Sequence, residues 1–527
     1  MTTTDGGLFP EPEPTPVPEQ ATAPAGADKR FRAYHPDQPV LLPGHLDEWV
    51  GEDDLAQLIS QIVDDVLDLD DIYASYTSTK GQPPYDPRMM LKVLLLGYAT
   101  GIRSSRAMEN ACRLRIDFRM LTGGEVPNFI AVNRFRQRHR TALESLFGQV
   151  LTVCRQLGMA SLATVALDGT KLRANASRHK AMSYSHMGDK LAAHDAEIAE
   201  IDAQLAGFQD LAAEIFDEAD AVDADEDDTL GAAGRRDMPA ELADQFARRE
   251  KLRAANAKIT RAKTQIEADA RQAARVKAQD RARERDRDGD NHGDDDGRGT
   301  GAGMAAETSE AVTPSPTQQR SFTDPEARIM KTAGGAFNYC YNAQAVVDAD
   351  HQVIVGIAVG TNPADSTTLV DMVTDVHDRV GVPGQWLADA GYCSKKNLAA
   401  VDEIARECRK QGQDTEFFIA LNKSNEASKV PDRPVGRMPG QASLTYRMGR
   451  KLKTKPGRQV FSRRKYIVEP VFGQIQTRQG KQLGLRGQAG ARLEWSLLAT
   501  CHNLLKIFTR CREQFQQMCA VLGPRLV

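Results

Sequence analysis

The sequence is short of several features that would assign a protein to a class at sight. Its eight cysteines form no CxxC pair and stand at no zinc-finger spacing from a histidine. We therefore expect reduced, mostly buried thiols rather than a disulfide scaffold or a zinc ribbon. The most apolar run, at 89–102, is too short for a membrane span and contains Lys92. The N-terminus lacks the basic-then-apolar order of a signal peptide. These absences predict a soluble, cytoplasmic protein with no membrane partner.

Charge of neither sign dominates the chain, but charge is strongly segregated along it. The net charge is only −4 over 527 residues. Basic residues outnumber acidic ones eleven to five between 85 and 145, and sixteen to two between 445 and 512. Between 186 and 230 the acids lead by fifteen to one. Basic blocks near both ends suit a polyphosphate partner such as nucleic acid. The acidic middle is either a solvated helical face or an autoinhibitory segment.

The first third of the chain reads as a tail followed by a helical domain. Residues 1–28 are rich in Pro, Thr, Ala and Glu, which predicts a disordered tail. Residues 45–155 show apolar positions at three- and four-residue steps, which predicts an all-α N-terminal domain. Asp86-Pro87 marks the start of one of its helices.

An arginine cluster opens a predicted helix after Pro127. It consists of Arg134, Arg136, Arg138 and Arg140. Such a cluster suits a helix that reads DNA, but a solvated face fits the same pattern equally well.

The rest of the chain predicts a mixed α/β domain in two pieces, 160–185 and 320–512. Residues 186–285 are polar, rich in Ala and low in Gly, which predicts long helices that could form a hairpin, and 286–320 reads as a low-complexity linker. Apolar runs predict strands at 162–167, 341–348, 352–360, 385–388 and 416–421. Helices are predicted at 366–380 and from about 395, 468 and 492.

Three acids stand at the predicted ends of these elements. Asp168 follows the first strand, Asp389 follows the fourth, and Glu469 opens a helix with Pro470 in its first turn. A single Asp-Gly after a strand is ordinary turn chemistry. Three such acids, one of them alone in a basic segment, indicate a site for divalent cations. Two hard cations roughly 3.5–4 Å apart are the usual device for attack on a phosphodiester.

Five sequence motifs resemble those of the DDE transposases of bacterial insertion sequences, in the group with a tyrosine–arginine–glutamate–lysine signature. They are VALDGTKLRANASRHKAMSY (165–184), TDPEARIMKT (323–332), YNAQAVVDAD (341–350), ADAGYCSKKNL (388–398) and RRKYIVEPVFGQIQ (463–476). Residues 85–113 resemble the helical domain that heads many such transposases.

This resemblance implies an α/β, RNase H-like catalytic domain with a mixed five-stranded sheet, interrupted by a long helical insertion and preceded by the all-α domain. It implies that Asp168, Asp389 and Glu469 are both the catalytic and the metal-binding residues, holding two Mg²⁺ ions, with Mn²⁺ as a possible substitute. It also implies cleavage and strand transfer at terminal inverted repeats, by a homodimer or larger synaptic multimer that is nucleoid-associated when bound to DNA.

The residues expected to contact double-stranded DNA, at the terminal repeats and the target, are basic. They are Arg134, Arg136, Arg138, Lys171, Arg173, Arg463, Arg464, Lys465, Arg478 and Lys481. Surface solvation is the competing interpretation for Lys171 and Arg173.

The signature is incomplete. Its Arg falls at Lys465, one position after Arg464, while its Tyr falls at Ser462 and its Lys at Gln476. Lys465 lacks the bidentate fork of an arginine. A second hypothesis is therefore a catalytically inactive DNA-binding relic or repressor, and a third is a general metal-dependent nuclease.

Three other polar residues are open to two interpretations. Asn342 and Gln344 alternate on a strand, where they could face substrate or solvent. Asp365 is expected to be a cap or turn residue rather than a fourth ligand.

Overall fold

The computed structural model describes six ranges of the chain: 45–77, 83–177, 180–222, 240–289, 313–421 and 429–522. The tail predicted at 1–28 lies outside the described residues, as does most of the linker predicted at 286–320. Within these ranges, the helices include none with the length and apolar character of a membrane span.

The N-terminal region is helical, as its periodicity predicts. Its helices are α1 (Leu55–Gln61), α2 (Asp70–Ala74), α3 (Pro87–Ala99), α4 (Ser105–Leu114), α5 (Ile116–Thr122), α6 (Phe129–Arg138) and α7 (Arg140–Gln156). Asp86 caps α3 by accepting a hydrogen bond from the N–H of Arg88, and Pro87 occupies the first helical position. The single arginine-rich helix predicted after Pro127 is instead two helices, which meet at His139.

Eight strands follow in the described part of the second region. They are β1 (Thr164–Arg173), β2 (Ala181–Ser183), β3 (Gln319–Ser321), β4 (Arg328–Lys331), β5 (Phe337–Asp348), β6 (Ile354–Gly360), β7 (Gln385–Ala388) and β8 (Glu416–Ile419). Strands β2 and β3 form a separate antiparallel ribbon.

The main sheet is mixed, and it has six strands rather than the predicted five. Strands β1, β5 and β6 form an antiparallel meander, while β7 and β8 continue from β1 in parallel. The additional strand is β4. It pairs with β5 at 337–340, beyond the stretch of β5 that pairs with β6, and so occupies backbone that would otherwise be a sheet edge.

Strand β1 is longer than the sequence predicts. The apolar run predicts an end before Asp168, but the antiparallel pairing of β1 with β5 continues from Val165 to Arg173. Asp168-Gly169 is therefore strand backbone and not a turn. The polar composition after Leu167 conceals this, because β1 is buried as far as Leu167 and only partly buried over the next four residues.

Helices α8 (Tyr184–Val222) and α9 (Ala240–Gly289) lie between β2 and β3 in the chain. They pack antiparallel, with His194 beside Asn256 and Arg249 paired with Asp202. The long helices predicted at 186–285 are thus present in the described residues, and they form a hairpin. Asp269 of α9 joins this hairpin to β3 and β4 by accepting hydrogen bonds from Arg320 and Arg328.

The remaining helices are α10 (Leu369–Arg379), α11 (Lys395–Lys410), α12 (Leu444–Lys453), α13 (Lys455–Ser462), α14 (Arg464–Gln479), α15 (Gly487–Arg510) and α16 (Arg512–Leu522). The sequence did not predict α12, α13 or α16. Helix α15 is buried along most of its length and joins the two regions. Its Trp495 donates to the carbonyl of Gln344 in β5 at 3.0 Å, and its Ser496 donates to the carbonyl of Glu144 in α7 at 3.2 Å.

Helix α14 begins earlier than predicted. Glu469 lies in its second turn, and Pro470 is inside the helix rather than in its first turn. Proline has no N–H, so the carbonyl of Tyr466 loses its helical partner. The side chain of Gln352 supplies the missing donor, with Nε2 3.0 Å from that carbonyl oxygen. A bond from the β5–β6 turn thus lets the helix continue through the proline.

Candidate active site

The structure brings two of the three predicted acids together. The parallel pairing of β1 with β7 ends at Leu167 opposite Ala388, so Asp168 and Asp389 are the next residues on two neighbouring strands. Neighbouring strands lie about 4.8 Å apart. The two carboxylates therefore meet where these central strands separate, although they are 221 positions apart in the sequence.

Asp168 is held between opposing charges. Burial raises the pKa of its carboxyl, and the negative charge of Asp389 acts in the same direction. The Arg464 guanidinium and the N–H of Gly169 oppose this rise, at 2.8 Å each. One carboxylate oxygen of Asp168 thus forms an ion pair with the Arg464 guanidinium of α14.

A third acid, Asp365, lies beside this pair. It opens a 3₁₀ turn, Asp365–Thr367, but its side chain does not cap that turn. Instead its Oδ1 accepts hydrogen bonds from Lys171 Nζ at 2.9 Å, Asn342 Nδ2 at 2.7 Å and Gln344 Nε2 at 2.9 Å. Burial alone would raise the pKa of Asp365, but these donors outweigh it and the pKa is lowered. Of the two predicted roles, cap or turn residue, the cap was wrong, while the position of Asp365 in a turn agrees with the structure.

Asn342 and Gln344 do not form a solvent face. They are 1% and 0% exposed, and both face Asp365. The buried hydroxyl of Tyr392, three positions after Asp389, donates to Gln344 Oε1. Burial, followed by the charges of Asp365, Asp168 and Asp389, raises the pKa of Tyr392 well above its ordinary value. The Asn-x-Gln alternation was the one signal in the sequence that pointed to this network.

Two glycines allow Asp365 to lie close to the segments that carry Asp168 and Asp389. A Cβ at Gly169 would lie 2.9 Å from Asp365 Oδ1, and a Cβ at Gly391 would lie 3.2 Å from Asp365 Oδ2 and 2.9 Å from Asp389 Oδ1. Any larger residue would displace these carboxylates. The three acids Asp168, Asp365 and Asp389, with their polar partners, form the acidic cluster of this site.

Glu469 is not part of this cluster. Its side chain is exposed on α14. Within the described ranges, no three His, Cys, Asp or Glu side chains stand close enough together to hold a metal ion. Helix α14 nevertheless crosses β1, with Arg464 on Asp168 and Gln476 Nε2 3.2 Å from Thr170 Oγ1. Glu469 lies between these two contacts along the helix.

The donor chemistry at Asp168 and Asp389 suits a hard divalent cation. Both offer carboxylate oxygens, the ligands that Mg²⁺ and Mn²⁺ prefer. Asp168 already binds a positive group, the guanidinium of Arg464. In the incomplete signature, it is thus Arg464 and not Lys465 that contacts a predicted catalytic acid; Lys465 is exposed.

The predicted DNA-contacting residues fall into three groups. Lys171 and Arg464 are engaged in the acidic cluster. Arg136 is only 4% exposed, and its guanidinium bonds to Tyr98, Ser105 and the carbonyl of Arg103. These bonds engage the Arg136 guanidinium within the protein. The exposed group consists of Arg134, Arg138, Arg173, Arg463, Lys465, Arg478 and Lys481.

Two family models match the chain. Residues 44–138 match a transposase domain (DUF772), and residues 306–504 match a transposase DDE domain. The chain is a DDE transposase of the insertion-sequence type. No curated protein and no solved structure matches it.

The DDE match contains Asp389 and Glu469, whereas Asp168 lies between the two matched segments. The DDE domain implies an RNase H-like fold, and the strand order of the transposase is consistent with it. The family implies that the transposase binds DNA and has a nuclease or transposition activity, and its members typically use divalent metal ions.

Proposed function

We propose that this transposase cuts DNA at the terminal inverted repeats of its own insertion sequence and joins the ends to target DNA. Asp168, Asp389 and Glu469 would hold two Mg²⁺ ions, for which Mn²⁺ can substitute. The observation that carries this proposal is the adjacency of Asp168 and Asp389 at the end of the β1–β7 pairing.

The chain supplies the frame for this chemistry. Held by Asp168, Asp389 and Glu469, divalent ions would supply the activation of water or a 3′-hydroxyl and the stabilisation of the departing oxygen. Gln344 and Asn342 hold Asp365, which supports the strands of Asp168 and Asp389 from one side. Glu469, which lies on α14 outside the acidic cluster, would supply the third carboxylate, and the exposed Arg463 and Lys465 near the start of that helix would attract the phosphates of the substrate.

The domain organisation follows from the same proposal. The helical region at 45–155 binds DNA through exposed arginines such as Arg134 and Arg138. The α8–α9 hairpin is an insertion into an RNase H-like catalytic domain formed by 160–185 and 320–512. A homodimer or larger synaptic multimer brings two DNA ends together.

An inactive relic or repressor is the alternative, and the family matches do not favour it. Its motivation is the presence of Ser462 and Gln476 in the signature. In the structure, Gln476 bonds to Thr170 and Ser462 donates to the carbonyl of Gln459, and neither bond involves Asp168 or Asp389.

The test is cleavage of DNA duplexes that carry the ends of the element, with Mg²⁺ or Mn²⁺. The variants Asp389→Asn and Glu469→Gln should each lose at least about a hundredfold in rate, as expected when a group that stabilises transition-state charge is removed. Both should still bind the duplex. Glu403→Gln, an exposed position on α11, is the matched control and should cut normally.

Each outcome separates two hypotheses. Full cleavage by Asp389→Asn would contradict the assignment of the triad. Cleavage without end joining would indicate a general nuclease, and binding without any cleavage would indicate the relic.

A further inference from the structure

A basic notch lies where the helical region meets the sheet domain, away from the acidic cluster. It is a cavity of about 260 Å³. Its polar lining comes from α6, α7, the end of β1 and the segment before α15. The residues are Asn133, Arg136, Gln137, Arg140, Asn175 and Arg486.

The side chains of this notch offer hydrogen-bond donors and positive charge. No acid is among its lining residues in the described part of the chain. Arg486 donates its Nε to the carbonyl of Asn175 at 3.2 Å, so its two Nη groups face outward from that bond. Arg136 lines the buried side of the notch, and its Nη groups are already bonded within the protein.

Two acids near the notch are engaged by other groups. Buried Glu494 accepts from Arg103 and from the N–H groups of Gly484 and Leu485. Glu326 accepts from the N–H of Gln488 in the first turn of α15, where the helix dipole favours a negative charge.

A third acid, Glu144, lies one turn along α7 from Arg140 and interacts electrostatically with both Arg492 and Arg140. One carboxylate shared between two arginines does not cancel the charge of Arg140 and Arg486. The notch therefore keeps a net positive charge, which an anion would compensate.

The notch continues into the exposed basic surface of the sheet domain. The N–H of Arg173 donates to the carbonyl of Lys481 at 3.0 Å, so these two exposed residues lie side by side next to Asn175 and Arg486. A row of cations that extends beyond one cavity suits a polyanion rather than a small isolated anion.

We propose that this notch binds a backbone phosphate of a DNA duplex whose cleavage point lies at Asp168 and Asp389. The proposal rests on the proposed function and adds a location to it. Guanidinium groups with amide donors and no carboxylate match the phosphodiester, and a binding point shared by both domains would fix their register on the duplex.

The distance along β1 limits the position of the bound phosphate. Asn175 is seven residues after Asp168, and the last two of these lie beyond the end of β1 at Arg173. At about 3.3 Å per residue, the chain between them spans at most about 23 Å. DNA rises about 3.4 Å per base pair along one strand. The bound phosphate should thus lie at most about seven base pairs from the cleavage point.

The affinity test uses the full chain and a fluorescein-labelled DNA duplex of arbitrary sequence, titrated over a NaCl series by anisotropy. The double variant Arg140→Ala/Arg486→Ala should bind about tenfold more weakly. The slope of log affinity against log salt should fall by about 0.9 for each phosphate that the variant no longer neutralises. The control Arg406→Ala/Arg409→Ala removes two exposed arginines of α11, which pair with Asp402 and Asp414, and should keep the wild-type slope.

A second measurement does not depend on any variant. Ethylation of single phosphates in an element-end duplex should weaken wild-type binding at a site separate from the cut and at most about seven base pairs from it. An unchanged salt slope in the double variant, or no interference at such a site, would overturn the notch while leaving the proposed function standing. If the wild type does not bind DNA at all, the proposed function fails as well.

Discussion

At the scale of single residues, the acidic cluster depends on glycine at two places. Asp365 Oδ1 lies 2.9 Å from the Cβ position of Gly169, and both Asp365 and Asp389 lie close to that of Gly391. Neither glycine has a positive φ, so both are required for close approach and not for backbone conformation. The network of acids, amides and Tyr392 can form only because these two side chains are absent.

Gly391→Ala should therefore damage the site without unfolding the protein. The new methyl group would meet Asp389 Oδ1 at 2.9 Å, tighter than normal contacts, and would move that carboxylate. We expect metal-dependent cleavage to fall at least about tenfold, because even a small misplacement of a catalytic group is costly. The thermal midpoint should change little.

Gly148→Ala on α7 is the matched control. A Cβ there meets no atom within 4 Å, so cleavage should be unchanged and the helix slightly stabilised. Equal cleavage by Gly391→Ala and Gly148→Ala would show that the approach of Asp389 to Gly391 is irrelevant to activity.

At the scale of elements, Gln352 and α15 hold the sheet and the C-terminal helices together. Gln352 donates to the carbonyl of Tyr466 in α14, and its own carbonyl lies 2.9 Å from Nε2 of His502 in α15. Asn503, the next residue, bonds to both the N–H and the carbonyl of Ile354. This places α15 against β6 by specific polar contacts as well as by its apolar face.

His502 makes the stability of this arrangement dependent on pH. Burial lowers the pKa of His502 from 6.5 to about 4, and the nearby charges of Lys506 and Arg478 act in the same direction; the Gln352 carbonyl opposes them. The unfolded chain thus binds a proton below pH 6.5 that the folded chain does not accept until about pH 4. The contribution of neutral His502 to the free energy of unfolding is therefore fully present above pH 6.5 and is lost as pH falls toward 4.

Between pH 7 and pH 4, the free energy of unfolding of the wild type should fall by roughly 3 kcal/mol more than that of His502→Gln, at about 1.36 kcal/mol for each pKa unit. The measurement is the urea midpoint between pH 7 and pH 4, taken as the difference between wild type and variant. His186→Gln, at an exposed position of α8, is the control and should follow the wild type. Parallel pH curves for wild type and His502→Gln would contradict the prediction.

At the scale of the whole molecule, the ion pairs of Asp269 are prominent among the contacts between the α8–α9 hairpin and the strands at its base. Asp269 pairs with Arg320, which is 1% exposed, and with Arg328. A small apolar cluster of the hairpin, with Met187, Ile259, Ala262 and Ile266, packs against Met182 of β2 and Phe322 after β3. One carboxylate thus serves two cations at the base of the hairpin.

Asp269→Ala should loosen the base of the hairpin. It leaves Arg320 buried without its carboxylate, which should destabilise this region by about 2 kcal/mol or more. Hydrogen exchange should rise in α9 around 259–271 and in β3, while the main sheet stays protected.

Asp202→Ala is the control for that experiment. Asp202 also pairs with two arginines, Arg249 and Arg253, but it is 40% exposed, so its loss should be worth less than about 1 kcal/mol. If both variants exchange like the wild type, Asp269 does not hold the hairpin.

Much of this architecture could be predicted from the sequence, because it depends on residues that are neighbours in the chain. The Asp86-Pro87 start of α3 and the bounds of β7 follow from a local cap and a short apolar run. The same local signals marked Asp168 and Asp389 as polar residues at the ends of apolar runs.

Contacts between distant segments decided the rest. The length of β1 depends on β5, and the passage of α14 through Pro470 depends on Gln352, more than a hundred residues away. The position of Asp365 in the acidic cluster and the burial of Arg136 likewise depend on bonding partners that are distant in the sequence, and no local sequence pattern predicts them. The sequence determined which side chains were available, and tertiary packing decided which of them meet, because burial and hydrogen bonding depend on spatial neighbours.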